Sequence, residues 1–276
     1  MPLKYTISNL IQMSSDTNWE IRCKSARNVR TPVGVLERLS NDECIEVRSE
    51  VSKNSNISVS ALEKLSYDDD LSVKGGVASN NKTPLSILEN LYQNNPEVWP
   101  QLALNVNLPL KISWELFSKN DFRINYSLIN NRSTPFEIIE KLSYDDDVKC
   151  DIARNQNTPT EILRRLSFDK DIEVIKSLAK NKKTSVDILE LMILSKHFEI
   201  RRAVACNRKL PAKFLEILSN SKELEIRRNV AKNPMTGIKT LKKLRDDKSI
   251  VVSRAANEQF AKKQHITIHR KKITFK

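Results

Sequence analysis

The sequence predicts an all-α solenoid of about ten two-helix repeats, each 24–26 residues long. Three observations carry that prediction. Thr-Pro pairs recur at Thr31-Pro32, Thr83-Pro84, Thr134-Pro135 and Thr158-Pro159. Two leucine-rich columns stand three residues apart in each repeat, and an asparagine falls near the end of nine repeats of the ten. The repeats begin near Tyr5, Thr31, Ile57, Thr83, Leu108, Thr134, Thr158, Thr184, Leu210 and Thr236. Most have 26 residues; that at Thr83 has 25 and that at Thr134 has 24.

The first element of a repeat, helix A, is expected to run for about nine residues. Its sixth and ninth columns hold Leu36 and Leu39, Leu62 and Leu65, Leu163 and Leu166, a spacing that puts both on one helical face. Thr followed by Pro reads as an N-cap and a first-turn proline. Thr134 with Glu137, and Thr158 with Glu161, have the spacing of a capping box.

An acidic turn follows, as in Tyr67-Asp68-Asp69-Asp70 and Tyr144-Asp145-Asp146-Asp147. Beyond it an apolar pair four residues apart (Val47 and Val51, Val73 and Val77, Ile226 and Val230) marks a shorter helix B, α or 3₁₀. The asparagine column comprises Asn28, Asn54, Asn80, Asn105, Asn131, Asn155, Asn181, Asn207 and Asn233. Asparagine tolerates the left-handed conformation at a helix end and can bond loop backbone, so its expected role is structural. One repeat cannot bury its own apolar stripe, so neighbours must stack and share a core.

The columns Thr-Pro-x-x-x-Leu-x-x-Leu-Ser-x-Asp-x-Asp-x-x-Val, legible from Thr158 to Val174 and continued by Ile200-Arg201, Val204-Ala205 and Asn207, resemble the leucine-rich repeat variant family of bacteria. The resemblance covers roughly residues 5–257. It implies a right-handed superhelix, similar more broadly to HEAT-like arrays. One type in that family has an N-terminal iron–sulfur domain with clustered cysteines; no cysteine precedes Cys23 here, so no cofactor is carried over. The resemblance supplies no catalytic motif. Residues 1–257 are therefore expected to form the array, and 258–276 a basic tail that caps it or extends as an arm.

Composition narrows the function classes. Four spread cysteines (Cys23, Cys44, Cys150, Cys206) without CxxC spacing point to ordinary thiols rather than a disulfide framework or zinc ribbon. No apolar run approaches the ~18–20 residues of a membrane span. The first residues lack a signal-peptide pattern, so a cytoplasmic location is expected. The only glycines, Gly34, Gly75, Gly76 and Gly237, form no phosphate loop. His197, His265 and His269 lack partners for a triad or a metal site.

Charge is the strongest functional signal. The net charge is +13, yet residues 1–199 hold 26 Lys/Arg against 28 Asp/Glu, and residues 200–276 hold 21 against 6. The eighteenth column of the repeat is basic in six repeats (Arg22, Arg48, Lys74, Lys149, Arg201, Arg227) and is expected to pair with the Asp turn of an adjacent repeat. The nineteenth column is neutral in the first six repeats (Cys23, Ser49, Gly75, Pro100, Tyr126, Cys150) and then reads Lys176, Arg202, Arg228 and Arg254. At 100° per residue that column lies opposite the buried pair, hence in solvent. These four, with Arg201, Arg227 and the tail residues Lys262, Lys263, Arg270, Lys271 and Lys272, are the candidate anion-binding set.

The third and fourth repeats are the least regular. Trp99, Trp114 and Tyr126 are candidates for an aromatic pocket, and Gly75-Gly76 is expected to make room for the Trp99 indole. The preferred function is a non-catalytic repeat-solenoid adaptor that engages nucleic acid, DNA or RNA, or another anionic macromolecule through its basic C-terminal third. The alternatives are a protein-interaction scaffold meeting an acidic protein, and a HEAT-like DNA glycosylase using Trp99, Trp114 and Asp121. No metal or cofactor is expected.

Overall fold

The computed structural model describes residues 5–273, with side chains as far as residue 264. Among the described residues there are twenty α-helices, one 3₁₀ turn (Pro96–Val98) and no strand. The A helices are α1 Ile7–Met13, α3 Val33–Leu39, α5 Val59–Leu65, α7 Leu85–Asn94, α9 Leu110–Phe117, α11 Phe136–Leu142, α13 Thr160–Leu166, α15 Val186–Ile193, α17 Ala212–Leu218 and α19 Ile238–Arg245. The B helices are α2 Trp19–Arg27, α4 Ile45–Lys53, α6 Leu71–Ser79, α8 Trp99–Ala103, α10 Phe122–Asn130, α12 Lys149–Arg154, α14 Ile172–Lys180, α16 Phe198–Ala205, α18 Leu224–Lys232 and α20 Ile250–Ile273. The chain divides into two compact units, Met1–Ile139 and Glu140–Lys276.

The repeat columns become the core of each unit. Leu36, Leu62, Leu88 and Leu163 are fully buried, as are Val47, Val73 and Val77. Within each unit consecutive B helices lie flank to flank, whereas consecutive A helices approach each other far less. Small residues permit the close side: Ala26, Ser52, Ala78 and Ala103 in one unit, and Ala153, Ala179, Ala205 and Ala231 in the other, are buried. Helix B is the longer element, typically nine residues against seven for helix A. That reverses the expected lengths. The Thr-Pro pair lies outside helix A and shortens it.

The reason is visible in the threonines. Each of Thr31, Thr83, Thr134, Thr158, Thr184 and Thr236 donates its Oγ1 hydrogen to the carbonyl six residues earlier, at 2.5–2.7 Å. Those carbonyls belong to the end of the preceding helix B, so the threonine closes that helix rather than opening the next. Proline takes the N-cap place, as at Pro32, Pro84 and Pro159, without a side-chain cap bond. Its fixed φ suits the extended entry, and it has no N–H to satisfy. Thr158 therefore forms no capping box.

The asparagines bind between repeats. Asn207 Nδ2 donates to Ala179 O at 2.8 Å and Asn181 O at 3.2 Å, both in the preceding repeat. Its Oδ1 accepts from Lys209 N at 2.8 Å. Asn54, Asn80, Asn105, Asn131, Asn181 and Asn233 make the same three bonds. The backbone there is extended, with φ −71° and ψ 125° at Asn233, so the left-handed expectation is corrected. The amide is selected because it donates to two buried carbonyls and accepts from one N–H at once.

Gly76 answers to B-helix packing, and neither it nor Gly75 answers to the indole. A Cβ on Gly76 would fall 1.8 Å from Ser52 Oγ and 2.9 Å from Ser52 Cβ on the preceding B helix. A Cβ on Gly75 would meet only the exposed Gln101 side chain, at 3.2 Å. Gly76→Ala is expected to destabilise by about 1–3 kcal/mol despite the helix propensity it gains. Gly75→Ala is expected to leave the denaturation midpoint nearly unchanged. Urea melts of the two variants check the contrast.

Five of the six basic residues of the eighteenth column form the expected ladder; Lys74 makes no ion pair among the described residues. Arg22 meets Asp42, Arg48 meets Asp68 and Arg227 meets Asp247, each through Nε to Oδ2 at 2.7 Å. Lys149 reaches Asp169 at 3.2 Å, and Arg201 reaches Glu223 at 2.8 Å. Each paired arginine also donates to carbonyls of its own repeat's turn, Arg227 to Ser221 O at 2.8 Å and Lys222 O at 2.9 Å. The rung thus ties two turns together.

Candidate binding surface

In the C-terminal unit the nineteenth-column cations stand on α14, α16, α18 and α20, but most are engaged. Lys176 pairs with Glu173, Arg202 with Glu225 and Arg254 with Glu258. Arg228 is exposed and has no ion pair among the described residues. The column is not uniformly in solvent either, because Cys23, Ser49 and Gly75 are buried. B helices stack so closely that the flank facing the next helix is covered as well as the core side. Burial raises the Cys23 thiol pKa to about 11.

A second basic row lies in the turns between helices A and B. Lys170, Lys196, Lys222 and Lys248 occupy the same place in four consecutive repeats, spaced 26 residues apart. All four are exposed, and none makes a side-chain ion pair or hydrogen bond among the described residues. Earlier repeats put Thr17, Glu43, Asp69, Asn95, Asn120 and Asp146 there. Two residues before the lysine, two of these turns present large apolar side chains, Phe168 and Leu194, 74% and 78% exposed; the Lys222 and Lys248 turns have Asn220 and Asp246 there, and the preceding turn, that of Asp146, has Tyr144, 63% exposed. Arg165 stacks its guanidinium on Tyr144 at 3.9 Å. The signal for this row was in the sequence, but it sits in turns, where no helical period singles it out.

Several rungs of the ladder hold no ion pair, and the one beside that row holds no charged residue at all. Ile175 stands in the arginine column, and Ser195 stands where the next repeat should supply the aspartate. A hollow of ≈ 260 Å³ opens there, walled by Phe168, Ile175, Ile188, Leu191, Met192 and Ile200, with Ser167 and Ser195. Each hydroxyl carries one bond: Ser167 Oγ donates to Arg164 O at 2.7 Å, and Ser195 Oγ accepts from His197 N at 3.2 Å.

In the N-terminal unit a larger open groove, ≈ 720 Å³, runs past Trp19, Cys23, Ile45 and Ser49. Its charged lining is mixed, with Glu20, Glu46, Glu50 and Asp70 against Lys24, Arg27 and Lys53. Trp99 is tied down locally: Nε1 donates to Tyr92 O at 2.9 Å, the rings stack at 5.6 Å, and Lys119 Nζ lies 4.9 Å from its centroid. Trp99 and Lys119 occupy the two rung positions of their repeats, so a cation–π contact replaces the ion pair. Trp114 packs edge-on against Phe117, and Tyr126 is exposed on α10. Asp121 caps α10 and pairs with Arg123.

The segment beyond residue 257 continues α20 without a break to Ile273. Arg245 holds its start, bonding Asn257 Oδ1 at 2.7 Å and stacking on Phe260 at 4.8 Å. Lys262 is exposed and Lys263 half-buried. The side chains of Arg270, Lys271 and Lys272 lie outside the described residues. No helix is long and apolar enough to cross a membrane among the described residues, and no cluster of side chains suited to a metal occurs among them.

Fold and surface together define an α-helical repeat protein. No family model matches the chain, and no curated protein matches it. Among solved structures it is similar to a leucine-rich repeat variant with a novel repetitive structural motif, at 20% identity over 91% of this chain and 81% of that one, with a TM-score of 0.29. It is also similar to a designed armadillo repeat protein (14% identity, 93% and 99% covered, TM-score 0.18). A third is a computationally designed armadillo repeat protein for modular peptide recognition (15% identity, 92% and 100% covered, TM-score 0.17).

Proposed function

We propose that the chain is a non-catalytic binding scaffold whose last four repeats engage an extended anionic macromolecule. The observation that carries this reading is the row of exposed, unpaired lysines, Lys170, Lys196, Lys222 and Lys248. Repeats stacked about 8–10 Å apart would present one such cation per layer to an elongated partner. The nineteenth-column cations add less, since Glu173, Glu225 and Glu258 already neutralise three of them. An acidic protein suits the surface better than nucleic acid, because Phe168 and Leu194 expose apolar area among the lysines. A phosphate backbone gains nothing from such groups, and a stacked base would use the Phe168 ring but not Leu194.

The test is binding of labelled polyglutamate and of a single-stranded oligonucleotide at low and physiological salt. Changing the four turn lysines to alanine is expected to weaken polyglutamate binding roughly fourfold or more, at about 0.2–1 kcal/mol per exposed cation. Affinity should fall as salt rises. Changing Lys176, Arg202, Arg228 and Arg254 instead should have the smaller effect. Equal affinity of wild type and the turn-lysine variant would overturn the reading.

A further inference from the structure

The missing rung is informative because both of its partners are missing together. A lone Ile175 facing an aspartate would strand a carboxylate, and a lone Ser195 facing an arginine would strand a cation. The pair Ile175 and Ser195 avoids both penalties and leaves an apolar hollow where five other repeats hold an ion pair. Its ≈ 260 Å³ is below the about 300–1,000 Å³ of small-molecule sites. A single side chain is the occupant of suitable size.

We propose that this hollow is a socket for one apolar side chain of an acidic protein segment, whose flanking carboxylates meet Lys170 and Lys196. The inference rests on the scaffold reading above and names the partner more closely. Charge complementarity fixes the flanks: both lysines are exposed and unpaired, and they stand in the turns that border the hollow. The walls fix the anchor. The only polar side-chain groups in the lining, Ser167 and Ser195, are already hydrogen-bonded. A nucleic-acid base would find only the Ser195 O–H to meet its polar edge there, whereas a phenylalanine or leucine needs no partner. Phe168 and Leu194 extend the apolar area at the rim. A buried apolar anchor inside a charged rim is the usual division of labour at an interface.

The chain supplies its own control. The double variant Ile175→Arg/Ser195→Asp rebuilds the rung seen at Arg227 and Asp247 and fills the hollow while keeping the fold. Its folding is checked by its thermal melt, and Ile175→Trp serves as a second variant that fills the space without charge. The probes are a short labelled peptide of aspartates and glutamates with one central phenylalanine, the same peptide with alanine there, and a single-stranded oligonucleotide. Wild type is expected to prefer the phenylalanine peptide roughly tenfold or more. Both filled variants should bind the two peptides alike. Equal binding of both peptides to wild type, a preference that survives in the filled variants, or tighter binding of the oligonucleotide that filling does not affect, would overturn the socket. Equal binding with intact dependence on the turn lysines leaves the scaffold reading standing. Absence of peptide binding at low salt removes both.

Discussion

Asn207→Asp is expected to destabilise the protein more than Asn207→Ala at neutral pH, although aspartate is nearly the same shape. The alanine variant strips a donor from the carbonyls of Ala179 and Asn181 and an acceptor from the Lys209 N–H, all at a buried side chain. Each buried group left unpaired costs about 1–3 kcal/mol, so the loss is expected at about 3–5 kcal/mol. Aspartate keeps the acceptor but turns a carboxylate oxygen toward two carbonyl oxygens. Repulsion and burial favour its protonated form and raise its pKa above the unfolded value. A raised acid pKa means stability is lost as pH rises above about 4. The aspartate variant should therefore recover toward the alanine variant in acid and fall below it at neutral pH. Guanidinium melts followed by helical circular dichroism at both pH values check the order. An aspartate variant as stable as wild type at neutral pH would contradict the ladder geometry.

Asp247→Ala is the second large effect. Arg227 and Asp247 have side chains only 8% exposed each, so removing the carboxylate leaves a guanidinium nearly out of water without a counter-charge. The expected cost is about 3–5 kcal/mol. The double variant Arg227→Ile/Asp247→Ser should lose less than either single change, because the chain already tolerates that combination at Ile175 and Ser195. The same pair predicts a pH dependence. The hydrogen bond from Arg227 holds the Asp247 carboxyl below its ordinary pKa, against the opposing effect of burial. A depressed acid pKa contributes stability above the unfolded value, and that contribution is lost as pH falls below about 4. In wild type the acid limb of stability should be steeper than in the double variant.

The all-helical fold and its period were legible because leucine columns and their spacing answer to burial, which acts alike in every layer. Val47, Val73, Leu62 and Leu163 are where periodicity puts them. The arginine–aspartate ladder was legible for the same reason: opposite charges recur at fixed offsets. What could not be read was partnership across layers. Thr158 has the spacing of a capping box with Glu161, yet its hydroxyl turns back to Ile152 O. Asn207 suggests a loop residue until its amide is seen reaching into the preceding repeat. Gly76 answers to Ser52, which no local pattern connects to it. Such choices depend on which atoms the neighbouring layer offers.

The basic surface divided in the same way. Lys176, Arg202, Arg228 and Arg254 drew notice because a helical wheel places them on one side, but wheels do not show that Glu225 of the next layer neutralises Arg202. Lys170, Lys196, Lys222 and Lys248 recur with the same period in turns, where no wheel applies.

Which of the two rows binds is answered most directly by amide chemical-shift mapping with the phenylalanine-bearing acidic peptide. The prediction is that shifts concentrate in the turns, at Phe168 to Lys170 and Leu194 to Lys196, and around Ile175. Shifts centred on Arg202, Arg228 and Arg254, with those turns unmoved, would contradict it.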